Sequence, residues 1–530
     1  MNNRIEQVTI VGGGTAGWLT ALMLQTDLNP TPGEKTVRIT LVESPNVPTI
    51  GVGESTLITL PTTLKEFGVN EREFMYRSNA SFKLAVRFAD WFTNSLGERP
   101  IFYHPFNAPH MCGGHSPAYH HRKFGPPKPG MSLADSILPN VAILRSMKAP
   151  REMGTSDYKF HISYAYHLDA ALFADYLRDI SVQRGITHVR DDVLDVEKDD
   201  RGYITALTLE RNGRHPVELV IDCTGFRGVI HGKVTDETFV GFGDYLLNDK
   251  AIAVQIPHRD PKKIEPCTRA TALSSGWVWR VPLFSRIGTG YVYSSAFKSD
   301  DEARDEFLNY LRAAGELPAD APDPDTRVIG MNVGYRKNTW VKNCIAIGLS
   351  GGFVEPLEAT AIHTIEMGAR WLLMNFPTKE FSPPLVQQYN ALSSRLYESI
   401  RDFIQTHYLK SNRFEPYWRS ARGDVKISDV LKWRLDMWGN RLPEEYDTSG
   451  ETPFTCWNYL FILEPKGHFS GHEFAIDTML RKKDWDEYCA GLESSKEKVL
   501  QRLPDHYEML RALRGSAPAT TAAAPSMAPA

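Results

Sequence analysis

At 530 residues, 42% hydrophobic and 23% charged, the chain has ordinary globular composition and is long enough for two or three core-forming units. A net charge of −4 excludes the basic footprint of a nucleic-acid or anionic-membrane binder, and the local basic run Tyr119 to Lys123 reads as a solvated loop. Six scattered cysteines without a C-x-x-C pair exclude a disulfide framework and a zinc site; with no leader read before the first strand and no apolar stretch near the ~20 residues of a membrane span, a cytoplasmic protein without metal is expected.

A strand, Val8 to Val11, runs into Gly12-Gly13-Gly14-Thr15-Ala16-Gly17 and then an apolar-periodic helix through Trp18, Leu19, Leu22, Met23 and Leu24. A second strand, Val37 to Val42, stops at Glu43. Strand, G-x-G-x-x-G turn, helix and strand with a terminal acid form the context in which this motif binds a dinucleotide. Gly12 allows the tight turn, Gly14 lets backbone approach a pyrophosphate, and Gly17 lets helix and strand pack closely. Thr15 and Ala16 open a helix whose N-terminus favours anions. Glu43 is placed to accept hydrogen bonds from ribose hydroxyls.

Further along come Gly51-Val52-Gly53-Glu54-Ser55-Thr56 and then Ser81-Phe82-Lys83, whose lysine has Phe82, Leu84 and Val86 for neighbours. Residues ~85–165, rich in Pro, Gly, His and aromatics, read as long connections around a subdomain. Tyr164 to Asp169 lead into a helix through Leu172, Phe173, Tyr176 and Leu177, followed by a strand-rich block from ~185 to ~300. There Leu219-Val220-Ile221 run into Asp222-Cys223-Thr224-Gly225-Phe226, a strand and turn that can bring backbone near a dinucleotide; Cys223 reads as a small buried residue. Trp277 and Trp279, alternating in a run closed by Pro282, put two indoles on one face of a strand. A strand from Cys344 to Gly348 precedes Leu349 to Thr360 and a helix from about Ala361. Beyond ~384 the spacing predicts helices over Val386 to Leu409, Ile427 to Trp438 and Trp485 to Leu513. Gly515 to Ala530, almost all Ala, Pro, Ser and Thr, predicts a disordered tail.

The expected fold is therefore α/β: a Rossmann-like FAD-binding core with a strand-rich insertion over residues 1–380, with substrate-side insertions at about 85–165 and 230–330, a mainly helical C-terminal subdomain over 381–514, and the tail. A flavin is favoured over a nicotinamide because two later strand-and-turn segments could contact a long dinucleotide. With a single complete glycine fingerprint, reducing equivalents would come from outside.

The glycine loop with Trp18, the 51–56 segment, Ser81-Phe82-Lys83, Trp277 to Pro282, and Phe353-Val354-Glu355-Pro356-Leu357-Glu358-Ala359-Thr360 together resemble the tryptophan-halogenase family of flavin-dependent halogenases. Tyr389, Phe403 and His407-Tyr408 in the helical part fit the same pattern. The resemblance implies that FADH2, supplied by a separate NAD(P)H-dependent flavin reductase, and O2 convert chloride or bromide to hypohalous acid. This oxidant travels through a tunnel to Lys83, which activates it by hydrogen bonding as an ammonium or by haloamine formation as an amine. Glu358 matches the second catalytic position, stabilising the cationic ring intermediate and taking its proton. Thr360 and Ala361 match the backbone positions that hold the halide, and Val193, Leu349 and Ile362 match flavin contacts. Trp277 and Trp279 would separate the flavin from the substrate, or merely stiffen the tunnel. Phe454 to Tyr459, with Phe454 and Trp457 as contacts, would line the pocket of an electron-rich aromatic, an indole first and free tryptophan second. A homodimer is a family-level expectation. Two positions depart from the family pattern: Ala359 replaces a serine, and Ala361 replaces a glycine, which tolerates left-handed backbone better. The alternatives are an aromatic monooxygenase, which would need neither Lys83 nor the paired indoles, and a flavin-binding protein without turnover.

Overall fold

The computed structural model of the chain describes residues 3–31, 36–47, 53–94, 96–235, 239–448, 450 and 452–515. Gly51, Val52 and the expected tail from 516 onward lie outside the described residues.

The first sheet has six strands in the order Trp340–Val341, Cys344–Ala346, Leu219–Asp222, Gln7–Val11, Arg38–Glu43, Thr187–Arg190. All pairs are parallel except the Trp340–Val341 hairpin at one edge. Ile10 sits between Ile221 and Leu41 in register. The central strands read as nearly unbroken apolar runs because both faces are covered. On one face the helix Thr15–Leu28, buried throughout Trp18 to Leu24, lies between helices Ala170–Gln183 and Ala361–Met374. On the other, the three-stranded sheet of Val193–Lys198, Ile204–Leu209 and Gly213–Pro216 packs Val196, Ile204 and Leu207 against Val42 and Val220. This is the doubly covered, mostly parallel sheet of a Rossmann-like fold.

A second sheet of seven strands runs Arg327–Gly330, Lys250–Ile256, Ile287–Tyr293, Gly276–Pro282, Thr268–Leu273, Ala85–Ala89, Phe102–Pro105. The segment expected to be connection after residue 85 thus supplies two of its strands. Ala85–Ala89 pairs in parallel with Thr268–Leu273, a partner so distant in sequence that no local signal announces it. A small sheet, Gly53–Ser55, Ala165–Asp169 and Ser81–Lys83, sits against this second sheet, where a Cβ on Gly288 would fall 2.8 Å from the Gly53 Cα.

Two further expectations are corrected. The basic run is no solvated loop: Pro117–Phe124 is a helix capped by the Ser116 side chain, and Tyr119, His120 and His121 are buried. The single helix expected from Trp485 to Leu513 is two, Lys482–Arg502 and His506–Gly515. Pro504 cannot continue the first, and Leu503 before it is extended at φ −75°, ψ 131°. The C-terminal helices share the Rossmann core, since Tyr389, Phe403, Trp418, Trp438 and Leu460 belong to one buried cluster with Ile10 and Trp18. Among the described residues no helix is long and apolar enough to cross a membrane.

Candidate active site

The glycines of the first turn are required for three different reasons. Gly12 has φ +119°, and a Cβ there would sit 2.3 Å from the Cys223 carbonyl oxygen. A Cβ on Gly17 would sit 1.9 Å from the Gly12 oxygen, so Gly17 sets the helix against the turn and does not itself reach the cavity described below. At Gly14 a Cβ would meet nothing within 4 Å: its missing side chain leaves open space. The helix that follows has no side-chain cap and no acid in its first turn, so its unpaired N–H groups and dipole are left for an anion.

From this turn a cavity of about 790 Å³ extends into the protein. Gly12, Gly14, Thr15, Ala16, Glu43 and Val193 line it, with Thr224 to Phe226, Leu349 and Ile362. Thr360, Ala361, Trp277, Trp279 and Lys83 line it too. The Glu43 carboxylate lies 2.7 Å from His188 Nε2. An open phosphate cradle followed by a long, mainly apolar channel fits an extended dinucleotide.

Lys83 ends the strand Ser81–Lys83 and is fully buried. Its Nζ donates to the Thr56 carbonyl oxygen at 2.9 Å and lies 5.2 Å from the centre of the Phe106 ring. Burial lowers its pKa from 10.5 to about 8, against the opposing pull of Glu358 and Cys267. Thr56 is the contribution of the 51–56 segment that sequence reasoning left without a role. Behind the lysine runs a directed chain: Ser81 Oγ donates to the Pro282 carbonyl, so His167 Nδ1 donates to Ser81 and its Nε2 accepts from Thr268, which faces Ser55.

Glu358 closes the turn Pro356–Glu358 and is 1% exposed. It neither caps the next helix, whose N-cap Thr360 makes no side-chain bond, nor lines the cavity. His104 Nδ1 lies 3.0 and 2.9 Å from its two oxygens, and His407 Nε2 lies 2.7 Å from Oε1. Burial would raise its pKa, but the two imidazoles outweigh that and hold it at about 2. Glu358 and Lys83 interact through space; the close ionic neighbours of Glu358 are the histidines. Neither histidine was assigned a role from sequence. His104 carried one signal, a lone imidazole in the aromatic run Phe102-Tyr103-His104-Pro105-Phe106.

The left-handed residue of this turn is Ala359, at φ 59°, whereas Ala361 begins the helix Ala361–Met374 with ordinary geometry. Replacement of glycine at Ala361 therefore carries no left-handed strain here; such strain falls on Ala359. Trp277 and Trp279 occupy one face of the strand Gly276–Pro282, ring centres 6.4 Å apart. The Trp277 indole donates to Glu355 Oε1 at 3.3 Å, and Gly290 opposite leaves room for Trp279, since a Cβ there would lie 2.1 Å from its ring.

Phe454 and Trp457 do not line the cavity. Phe454 stacks on Phe403 with centres 3.9 Å apart, and Phe403 in turn touches the rings of His104 and His407. Trp457 lies on the helix Cys456–Leu463 beside Phe461. Phe454 thus stands beyond the histidines, seen from Glu358.

The family model described as tryptophan halogenase matches residues 7–486. A tryptophan 6-halogenase of Streptomyces toxytricini is 37% identical over 97% of this chain and 99% of its own length. The crystal structure of a tryptophan halogenase from Shewanella frigidimarina, 32% identical, superposes with a TM-score of 0.89 over 97% of this chain and 98% of that one. A flavin-dependent halogenase of Brevundimonas, 31% identical, does so at 0.83 over 97% and 100%.

Proposed function

This chain belongs to the tryptophan halogenase family, and from that premise we infer that it uses FADH2, O2 and chloride or bromide to halogenate an electron-rich aromatic ring, an indole before free tryptophan. The observation that carries this reading is that a fully buried lysine and an open glycine cradle line the same cavity.

The helix N-terminus after Gly14 holds the pyrophosphate, Glu43 the ribose, and Val193, Leu349 and Ile362 pack on the flavin. The N–H groups of Thr360 and Ala361, at the start of a helix, hold the halide. Bound FADH2 with O2 supplies the oxidising equivalents that turn halide into hypohalous acid. Lys83 receives that acid at the cavity wall. With its pKa lowered to about 8, it is mainly ammonium at neutral pH, with a growing fraction of neutral amine as pH rises toward 8. Trp277 and Trp279 stiffen the wall between cofactor and substrate. Glu358, held between the His104 and His407 imidazoles, opposes the positive charge of the attacked ring and accepts its proton. Phe454 supports the substrate side from behind the histidines, with Trp457 on the adjoining helix. With one glycine fingerprint in the chain, a separate NAD(P)H-dependent flavin reductase reduces the cofactor.

A mass-spectrometric screen of indoles, phenols and tryptophan, with FAD, NADH, a generic flavin reductase and either halide, tests this reading. A product bearing the isotope pattern of the halide added is expected. Products carrying one extra oxygen whatever the halide would replace it with a monooxygenase.

A further inference from the structure

The hydrogen bonds around Glu358 count its protons. His407 Nδ1 faces the backbone oxygens of Phe403 and Ile404 at 3.1 and 3.2 Å; carbonyls only accept, so Nδ1 carries a hydrogen. The opposite nitrogen, Nε2, is 2.7 Å from Glu358 Oε1. A neutral ring protonated at Nδ1 would turn a bare lone pair on a carboxylate oxygen at that distance. One more proton must lie between the two, on either atom. His104 adds none. Asn458 Oδ1 accepts from Thr455 N and Oγ1, which turns Nδ2 toward His104 Nε2 at 2.6 Å. His104 Nε2 therefore accepts, Nδ1 bears the hydrogen given to Glu358, and the ring is neutral.

We propose that His407 is a positioning residue that shares a single proton with Glu358, leaving the buried pair without net charge and thereby setting the electrostatic field that Lys83 meets. The proposal rests on the reading of Lys83 and Glu358 as the working pair. Wherever the shared proton resides, the sum over Glu358, His407 and His104 is zero. The other titratable groups facing these residues are Lys466, whose Nζ donates to the carbonyls of Thr406 and His407, and, around Lys83, Cys267 and the buried His167. Without the shared proton Glu358 would face Lys83 as a full anion and raise the lysine's proton affinity. With it, the lysine can surrender its proton under milder conditions, as the haloamine route requires.

NMR of the flavin-free protein, labelled with ¹⁵N-histidine, ¹⁵N-lysine and ¹³C-glutamate, tests this without turnover. In the unmodified chain between pH 6 and 8, either His407 carries hydrogen on both ring nitrogens or the Glu358 carboxyl is protonated. A bare His407 Nε2 beside an ionised Glu358 would overturn the proposal, whether or not the enzyme halogenates. His407→Gln keeps a donor to Glu358 but brings no extra proton; it is expected to raise the Lys83 titration midpoint by about one pH unit, a tenfold gain in proton affinity, and His407→Phe at least as much. If His407→Gln leaves that midpoint where it was, His407 provides a hydrogen bond only and the proposal fails. Loss of halogenation in the unmodified chain with these titrations as expected would instead contradict the functional reading alone.

Discussion

At Lys83 a cation is held where water cannot solvate it, and the consequence is measurable in the protein's stability. Its pKa of about 8, lowered from 10.5 by burial, means that the unfolded chain binds this proton more tightly than the folded one. The penalty is therefore complete below pH 8 and disappears as pH rises from 8 to 10.5. It corresponds to about 3 kcal/mol. Lys83→Met should accordingly be more stable than the parent in urea at pH 7 by up to that amount, with the gain shrinking toward pH 10. Equal stability at pH 7 would show that the lysine is not desolvated. Burial of this residue was legible from its apolar neighbours Phe82, Leu84 and Val86. Its acceptor, the Thr56 carbonyl, was not, because a backbone oxygen leaves no mark on sequence. Glu358 was legible as a position but not as an environment: His104 and His407 reach it from 254 and 49 residues away, and only the fold brings them together.

The glycine turn is the element that sequence described best, although its fixing contacts include the non-local ones of Gly12 to the Val42 carbonyl and to Cys223. Two of its glycines make separable predictions. Gly17→Ala drives a methyl into the Gly12 carbonyl, so the turn must open; loss of soluble protein or a markedly lower Tm is expected. Gly14→Ala adds a methyl to open space. It should fold with an unchanged Tm yet bind FAD at least tenfold more weakly by fluorescence titration, about 1.4 kcal/mol. An unchanged affinity would place the cofactor elsewhere. The second sheet was less legible. Ala85–Ala89 has the buried Val86 and Phe88 of a strand, but its parallel partner arrives only at Thr268, and a proline-rich stretch nearby argued for loops. The break at Pro504 was there to be read from residue type; apolar spacing on both sides concealed it.

Across the whole molecule, the end of the described chain packs against the strand that carries the buried Lys83. His506 Nε2 accepts from the Phe82 backbone N–H at 3.3 Å while its Nδ1 donates to the Ile264 carbonyl, and the Arg514 guanidinium donates to the carbonyls of Met75 and Ala80. A chain ending at Leu503 should thus show a lower Tm and a more reactive, solvent-exposed Lys83 amine than one ending at Gly515; equal lysine reactivity in the two would deny the helix this supporting role. Nothing in the composition of residues 506–515 predicts such a docking, because it spans more than four hundred residues. The central claim is that oxidant made beside the cofactor is used at Lys83 and nowhere else. Single-turnover mixing of FADH2-loaded Lys83→Ala protein with O2, bromide and an accepted arene tests it most directly. Flavin reoxidation at the parental rate with no brominated product is the predicted result, and bromination at near-parental yield is the one that would contradict it.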